Sequence, residues 1–113
     1  MATPSDLYSS LLAALNGARS IMLSADWQAE LDKATADIRV TAGQAAMDLQ
    51  GAILTLSNES LGDIAAQMQE NEAALTSATQ GLSQALKDIT KVQSILSSVT
   101  KAVAVLSKIV TLL

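Results

Sequence analysis

A run of apolar residues, spaced alternately by three and four positions, most constrains how this chain folds. Such spacing keeps side chains on one side of an α-helix of about 3.6 residues per turn and is typical of coiled coils. The run extends over the last 53 residues, far beyond the few heptads that define a coiled coil. This set, called the heptad series below, consists of Leu61, Ile64, Met68, Asn71, Leu75, Ala78, Leu82, Ala85, Ile89, Val92, Leu96, Val99, Val103, Leu106, Val110 and Leu113.

Two capping signals precede the heptad series and predict helix starts. Thr3 followed by Pro4, with Asp6 in the first turn, predicts a helix over about 4–23. Ser24 followed by Asp26 predicts the start of a second helix, which apolar periodicity extends over about 25–56.

A short polar segment, Ser57 to Ser60, predicts a loop near Asn58 and a final helix over about 60–113. Ser60 and Asp63 are the expected capping pair of that helix. A short link between long helices makes them antiparallel. Gly17 and Gly81 are the positions where a helix is most open to interruption.

These elements predict an all-α protein with a single helical domain over residues 1–113. The last helix would span about 80 Å at about 1.5 Å per residue. The simplest architecture is an elongated antiparallel helical hairpin or coiled coil, with a short N-terminal helix and a long C-terminal heptad helix. The alternative is a four-helix bundle with a break near Gly81. We prefer one continuous helix because the heptad phase passes through Gly81 unchanged.

Composition argues against catalysis and against a bound cofactor. The chain has no histidine and no cysteine, which removes the commonest general base and the commonest ligands of structural zinc. Its carboxylates fall at helical spacings that read as surface ion pairs, such as Glu30 with Lys33 and Asp37. We therefore expect no enzyme activity, no metal and no cofactor.

Charge is divided unevenly along the chain. Residues 1–73 carry ten acidic and three basic side chains, whereas residues 74–113 carry four lysines and one aspartate. Four lysines without interleaved aromatic residues are too few for a nucleic-acid surface. The first residues have neither a basic region nor an apolar core, so we expect no cleaved signal peptide. Cytoplasmic and signal-independent exported locations both stay open.

Two single residues have alternative interpretations. Asn71 is the only polar member of the heptad series and is either a device that fixes register between helices or part of a hydrated end. Trp27 is the only tryptophan and is either a core residue where two helices meet, which we favour, or an anchor on a partner or bilayer.

The C-terminal third is apolar enough to raise the question of a membrane. Lys101 and Lys108 interrupt it on the side opposite the heptad series. A spanning helix would bury both charges at about 2.5–3.5 kcal/mol each near the bilayer centre. An amphipathic contact would instead hold the two lysines at anionic headgroups or against an acidic partner. We favour a protein-facing role.

The sequence therefore predicts a non-catalytic module for helical self-assembly or protein interaction, either as a homo-oligomer or with a helical partner. Its alanine-, serine- and threonine-rich composition broadly resembles that of subunits of bacterial secretion apparatus and filaments, and this resemblance implies a subunit or partner in such an assembly. The alternative is a membrane-associated, pore-forming-like amphipathic protein. The expected interaction residues are Ile89, Val92, Leu96, Val99, Val103, Leu106, Val110 and Leu113.

Overall fold

The computed structural model describes residues 3–110, and these residues fold into six α-helices without any strand. The all-α class predicted from the sequence is confirmed. The helices are α1 (Pro4–Met22), α2 (Ala25–Asp32), α3 (Ala36–Asn58), α4 (Leu61–Glu70), α5 (Glu72–Ala85) and α6 (Val92–Leu106).

The first two helix starts form as the sequence predicts. The Thr3 hydroxyl accepts a 3.1 Å hydrogen bond from the Asp6 backbone N–H, and the Asp6 carboxylate accepts one of 3.2 Å from the Thr3 N–H. This reciprocal pair satisfies two of the N–H groups that a helix start leaves without partners. Ser24 likewise accepts a 3.2 Å bond from the N–H of Trp27 at the start of α2.

The predicted second helix over 25–56 is interrupted at residues 33–35. Thr35 begins a new helix by accepting a 3.4 Å hydrogen bond from the Ile38 N–H. Threonine competes well for this capping position, whereas it is a weak residue within a helix. Ala34, Ile38 and Ala42 follow one another at steps of four, and this departure from the heptad coincides with the break between α2 and α3. The loop predicted near Asn58 is confirmed at Glu59 and Ser60.

The predicted single helix over 60–113 is also wrong, because the described part of it forms three helices. Asn71 separates α4 from α5, and residues 86–91 separate α5 from α6. In the second break Asp88 accepts hydrogen bonds from the backbone N–H of Thr90, at 3.1 Å, and from its hydroxyl. Such side-chain bonds offer the backbone an alternative to the helix. The expected Ser60–Asp63 capping pair does not form, although Ser60 is the N-cap.

The architecture is closer to the four-helix alternative than to the elongated hairpin. The described residues extend over 43 × 28 × 19 Å, far short of the 80 Å or so that one uninterrupted last helix would need. The break lies at residues 86–91, whereas Gly81 lies within α5, just as Gly17 lies within α1. Folding α5 back on α6 buries the apolar stripes of both helices within one chain, which a single long helix cannot do.

Helix contacts fix the order of the elements around the core. α1 packs against α3 and α5, and α6 packs against the same two helices. α1 and α6 are therefore diagonal neighbours, as are α3 and α5. The short α4 packs on α1 and carries the chain from the end of α3 across to α5.

Individual contacts give the helix directions. The Tyr8 hydroxyl, near the start of α1, donates a 3.0 Å hydrogen bond to the Leu56 carbonyl near the end of α3, so these helices are antiparallel. The starts of α3 and α6 line one groove, which makes these two helices parallel. A Cβ added at Gly17 would lie 3.6 Å from the side chain of Leu86, which is an ordinary contact distance, so the end of α1 lies beside the end of α5.

One continuous apolar core holds the described helices together, and no polar or charged residue among 3–110 is classed as buried. Burial of large side chains is the main favourable term in such a fold. The largest fully buried side chains come from every helix and are Leu11, Leu15, Trp27, Leu49, Leu56, Met68, Leu75, Leu82, Ile95, Val99 and Leu106.

Candidate interaction surface

Seven of the eight C-terminal interaction residues predicted from the sequence lie in or against the core of the chain itself. Four of them are buried and three are partly buried against the core, while Leu113 lies outside the described residues. The side chains are therefore covered by helices of the same chain. The buried members are Leu96, Val99, Leu106 and Val110, and the partly buried members are Ile89, Val92 and Val103.

Asn71 lies at a junction between helices. Its side-chain amide donates a 2.8 Å hydrogen bond to the Gln67 carbonyl, and its backbone ends α4 and begins α5. An asparagine side chain that bonds to nearby backbone disfavours a continuous helix. In this fold Asn71 lies at the bend between α4 and α5. This role differs from both interpretations drawn from the sequence, a register-fixing residue and a hydrated helix end.

Trp27 lies in the core and only 1% of it is exposed. This agrees with the core interpretation, and it removes the residue from the surface on which a partner or bilayer anchor would have to lie. The cap at Ser24 fixes the first turn of α2 and so positions the indole.

Lys101 and Lys108 are exposed, as their position opposite the heptad series predicts. An amphipathic membrane contact would place Leu106, Ile109, Val110 and Leu113 in the acyl boundary. The first three are buried in the folded chain, and Leu113 lies outside the described residues. Among residues 3–110, no helix combines the length and the apolarity needed to cross a membrane.

The most distinctive surface lies on the outer face of α3. Three of the four exposed large apolar side chains in the described chain are Val40, Met47 and Leu54, which are 74%, 70% and 59% exposed. They are seven residues apart, with Gly43 and Gly51 between them. We call these five residues the outer stripe. On a helix that advances about 100° per residue they fall within an arc of roughly 80°.

The opposite face of α3 explains why the outer stripe is exposed. The buried residues of this helix also follow helical spacing and point to the core, and the outer stripe lies on the far side. A Cβ added at Gly43 or Gly51 would have no atom of the chain within 4 Å, so the space above these glycines is open. The buried face consists of Ala42, Ala45, Leu49, Ala52, Ile53 and Leu56.

Polar residues border the outer stripe on two edges. The edge toward α6 carries Asp37, Gln44 and Asp48, and the Gln44 amide donates a 3.0 Å hydrogen bond to the Asp48 carboxylate. The other edge carries Arg39 and Gln50. The stripe itself is uncharged, so the surface has an apolar centre and a polar rim, as protein interfaces do.

The remaining surface of the described residues carries few groups suited to catalysis or metal binding. Within residues 3–110 there is no group of three or more carboxylates placed to hold a metal ion. The single ion pair found there joins Lys33 to Glu30 at 3.3 Å, as the sequence predicts, whereas the pair expected between Lys33 and Asp37 does not form. Hydrogen bonds from the Thr90 hydroxyl and N–H, aided by the charge of Lys91, lower the pKa of the Asp88 carboxyl against a small opposing effect of desolvation.

The interaction residues predicted from the sequence do not include the outer stripe, because that prediction rests only on the apolar spacing of the core. Its signal was nevertheless present, because Val40, Met47 and Leu54 form a second apolar series with a period of seven, out of phase with Leu49 and Leu56. Exposed apolar faces of this kind are typical of interaction sites.

Comparisons of the chain with protein-family models, with curated proteins and with solved structures gave no match.

Proposed function

We propose that this protein is a non-catalytic helical module that assembles with protein through the outer stripe of α3. The observation that carries the proposal is the concentration of exposed large apolar side chains on one helix face with heptad spacing. Amphipathic helices pair through residues at such spacing. A partner helix laid on this face would cover side chains that the fold itself leaves in water.

The absence of histidine and cysteine from the whole chain supports a role without catalysis. The compositional resemblance to subunits of bacterial secretion apparatus and filaments supports the same class of function. The proposed interaction surface, however, is the outer stripe of α3 and not the heptad series that the sequence predicted. Docking through Leu96 or Val99 would require the core to open, whereas Val40 and Met47 are accessible in the folded chain.

The membrane-associated alternative has less support. Lipid contact through the C-terminal third would place Leu106, Ile109 and Val110 in the acyl boundary, yet the folded chain buries all three. Such contact would therefore require unfolding of part of the core at a cost of several buried side chains.

A photo-cross-linking amino acid at position 47 tests the proposal. Incorporated at Met47 in the full chain and illuminated in the source cells, it should give discrete protein adducts. The same group at Gln28, an exposed residue of α2, is the control. Equal adduct patterns at the two positions would contradict the proposal. Flotation with anionic vesicles that requires Lys101 and Lys108 would instead favour the membrane alternative.

A further inference from the structure

The outer stripe is symmetric about Met47. Gly43 and Gly51 lie four residues before and after it, and Val40 and Leu54 lie seven before and after it. When two α3 helices meet with Met47 at the same level, large side chains face large ones and glycine faces glycine. We propose that the occupant of the outer stripe is the same stripe on a second copy of this chain, with the two α3 helices parallel. This inference rests on the function proposed above.

Charge at the edges of the outer stripe favours the parallel arrangement. In a parallel pair related by a two-fold axis, opposite edges meet, so the Asp37 edge of one copy faces the Arg39 edge of the other. The two charges are then offset by about 3 Å along the helices, and the contact occurs twice. The Asp48 edge meets the neutral Gln50 edge.

An antiparallel pair lacks this complementarity, because like edges meet. Asp48 of each copy would then lie one residue from the symmetry axis on the same side, and two carboxylates of equal charge would face each other. Asp37 and Arg39 would lie on different sides of the contact and could not pair across it.

The two glycines fit close contact between copies. Neither Gly43 nor Gly51 has a chain atom within 4 Å of the position that a Cβ would occupy. The space beside each glycine is therefore free for a second helix. Two helix backbones approach most closely where both lack a side chain. The Met47 side chain, unbranched and flexible, can fill the space between the two glycines.

Single-cysteine variants test the pairing, because the chain has no cysteine of its own. Met47→Cys and Val40→Cys should each form a disulfide-linked dimer under mild oxidation. In the parallel pair the two copies of each residue are adjacent, and a disulfide needs Cα atoms within about 7 Å. In an antiparallel pair the two copies of Val40 would be about 21 Å apart. Gln28→Cys is the matched control and should stay monomeric on a non-reducing gel.

Sedimentation of the native chain provides the second measurement, since oxidation alone can trap chance collisions. The weight-average mass should rise toward that of a dimer as the protein concentration increases. Val40→Glu should raise the dissociation constant at least about tenfold, which corresponds to a loss of about 1.4 kcal/mol of binding free energy. Gln28→Glu adds the same charge away from the stripe and should leave the constant unchanged. Circular dichroism should show both variants folded, because both residues are exposed.

The outcomes separate this inference from the proposed function. Cross-linking at Met47 without cross-linking at Val40 would overturn the parallel pairing. A native chain that stays monomeric, with no cross-link above the Gln28→Cys control, would overturn the second copy as occupant. If photo-adducts with another protein still formed at Met47, the proposed function would stand without this inference.

Discussion

Replacing Leu96 with alanine tests whether the heptad series is the core of one chain or an interface between chains. Leu96 is 5% exposed and lies on α6. The substitution removes about three methylene-sized groups at about 0.8 kcal/mol each. The cavity left behind raises the expected loss of unfolding free energy to about 3 kcal/mol. For a domain of this size the melting temperature should fall by about 12 °C.

Thermal unfolding monitored by circular dichroism at several protein concentrations measures this effect. Leu23→Ala is the matched control, because Leu23 is 73% exposed, lies outside the outer stripe and should cost less than about 0.5 kcal/mol when truncated. The melting temperature of Leu96→Ala should differ from that of the native chain by the same amount at every concentration. A loss below about 1 kcal/mol, or a loss that grows with protein concentration, would refute the assignment of Leu96 to an intramolecular core.

Three further predictions concern single positions. Gly81→Ala should raise the unfolding free energy by about 0.5–1 kcal/mol in chemical denaturation, because Gly81 lies within α5 and its Cβ would meet no neighbour; a destabilised variant would contradict this packing. Trp27 should emit at short wavelength and resist acrylamide quenching, with or without vesicles, because its indole is buried; ready quenching would contradict that burial. The Asp88 carboxyl should titrate below its ordinary value of about 4 in the folded chain. Its contribution to stability is therefore present above that value and is lost as pH falls through the lower, folded pKa, which a carboxyl NMR titration with Thr90→Ala as comparison would detect.

The parts of the fold that the sequence predicted are those governed by local chemistry. The caps at Thr3 and Ser24 and the loop at Glu59 and Ser60 depend on residues within a few positions of one another, and they form as predicted. The apolar periodicity also identified Leu96, Val99 and Leu106 as buried residues of α6, because burial of one helix stripe follows from the period alone, but it left out Ile95 and Ala102. It could not say whether the covering element belongs to the same chain.

The breaks at Thr35 and at residues 86–91 were missed for a related reason. The heptad spacing continues through residues 86–91 although they are not helical. Ile89 lies in this loop and packs against the core, as a residue of a continuous helix would also have done at that position. Unbroken heptad spacing of apolar residues therefore does not show that a helix is continuous. Asp88 and Thr90, whose side chain and backbone bond locally, were the better signal.

The location of the outer stripe follows from what the core already uses. Because α5 folds back on α6, the described members of the heptad series are buried or partly buried within the chain. The proposed self-association therefore needs an apolar face that the helix packing leaves open. Gly81 is as open as Gly43, so an uncrowded glycine does not by itself identify a contact. What distinguishes α3 is that its two glycines lie between three large exposed side chains at a fixed period. Gly81 has no such neighbours among the exposed large side chains of the described residues. In the proposed dimer, a second copy of α3 would cover that face with the same residues that form it.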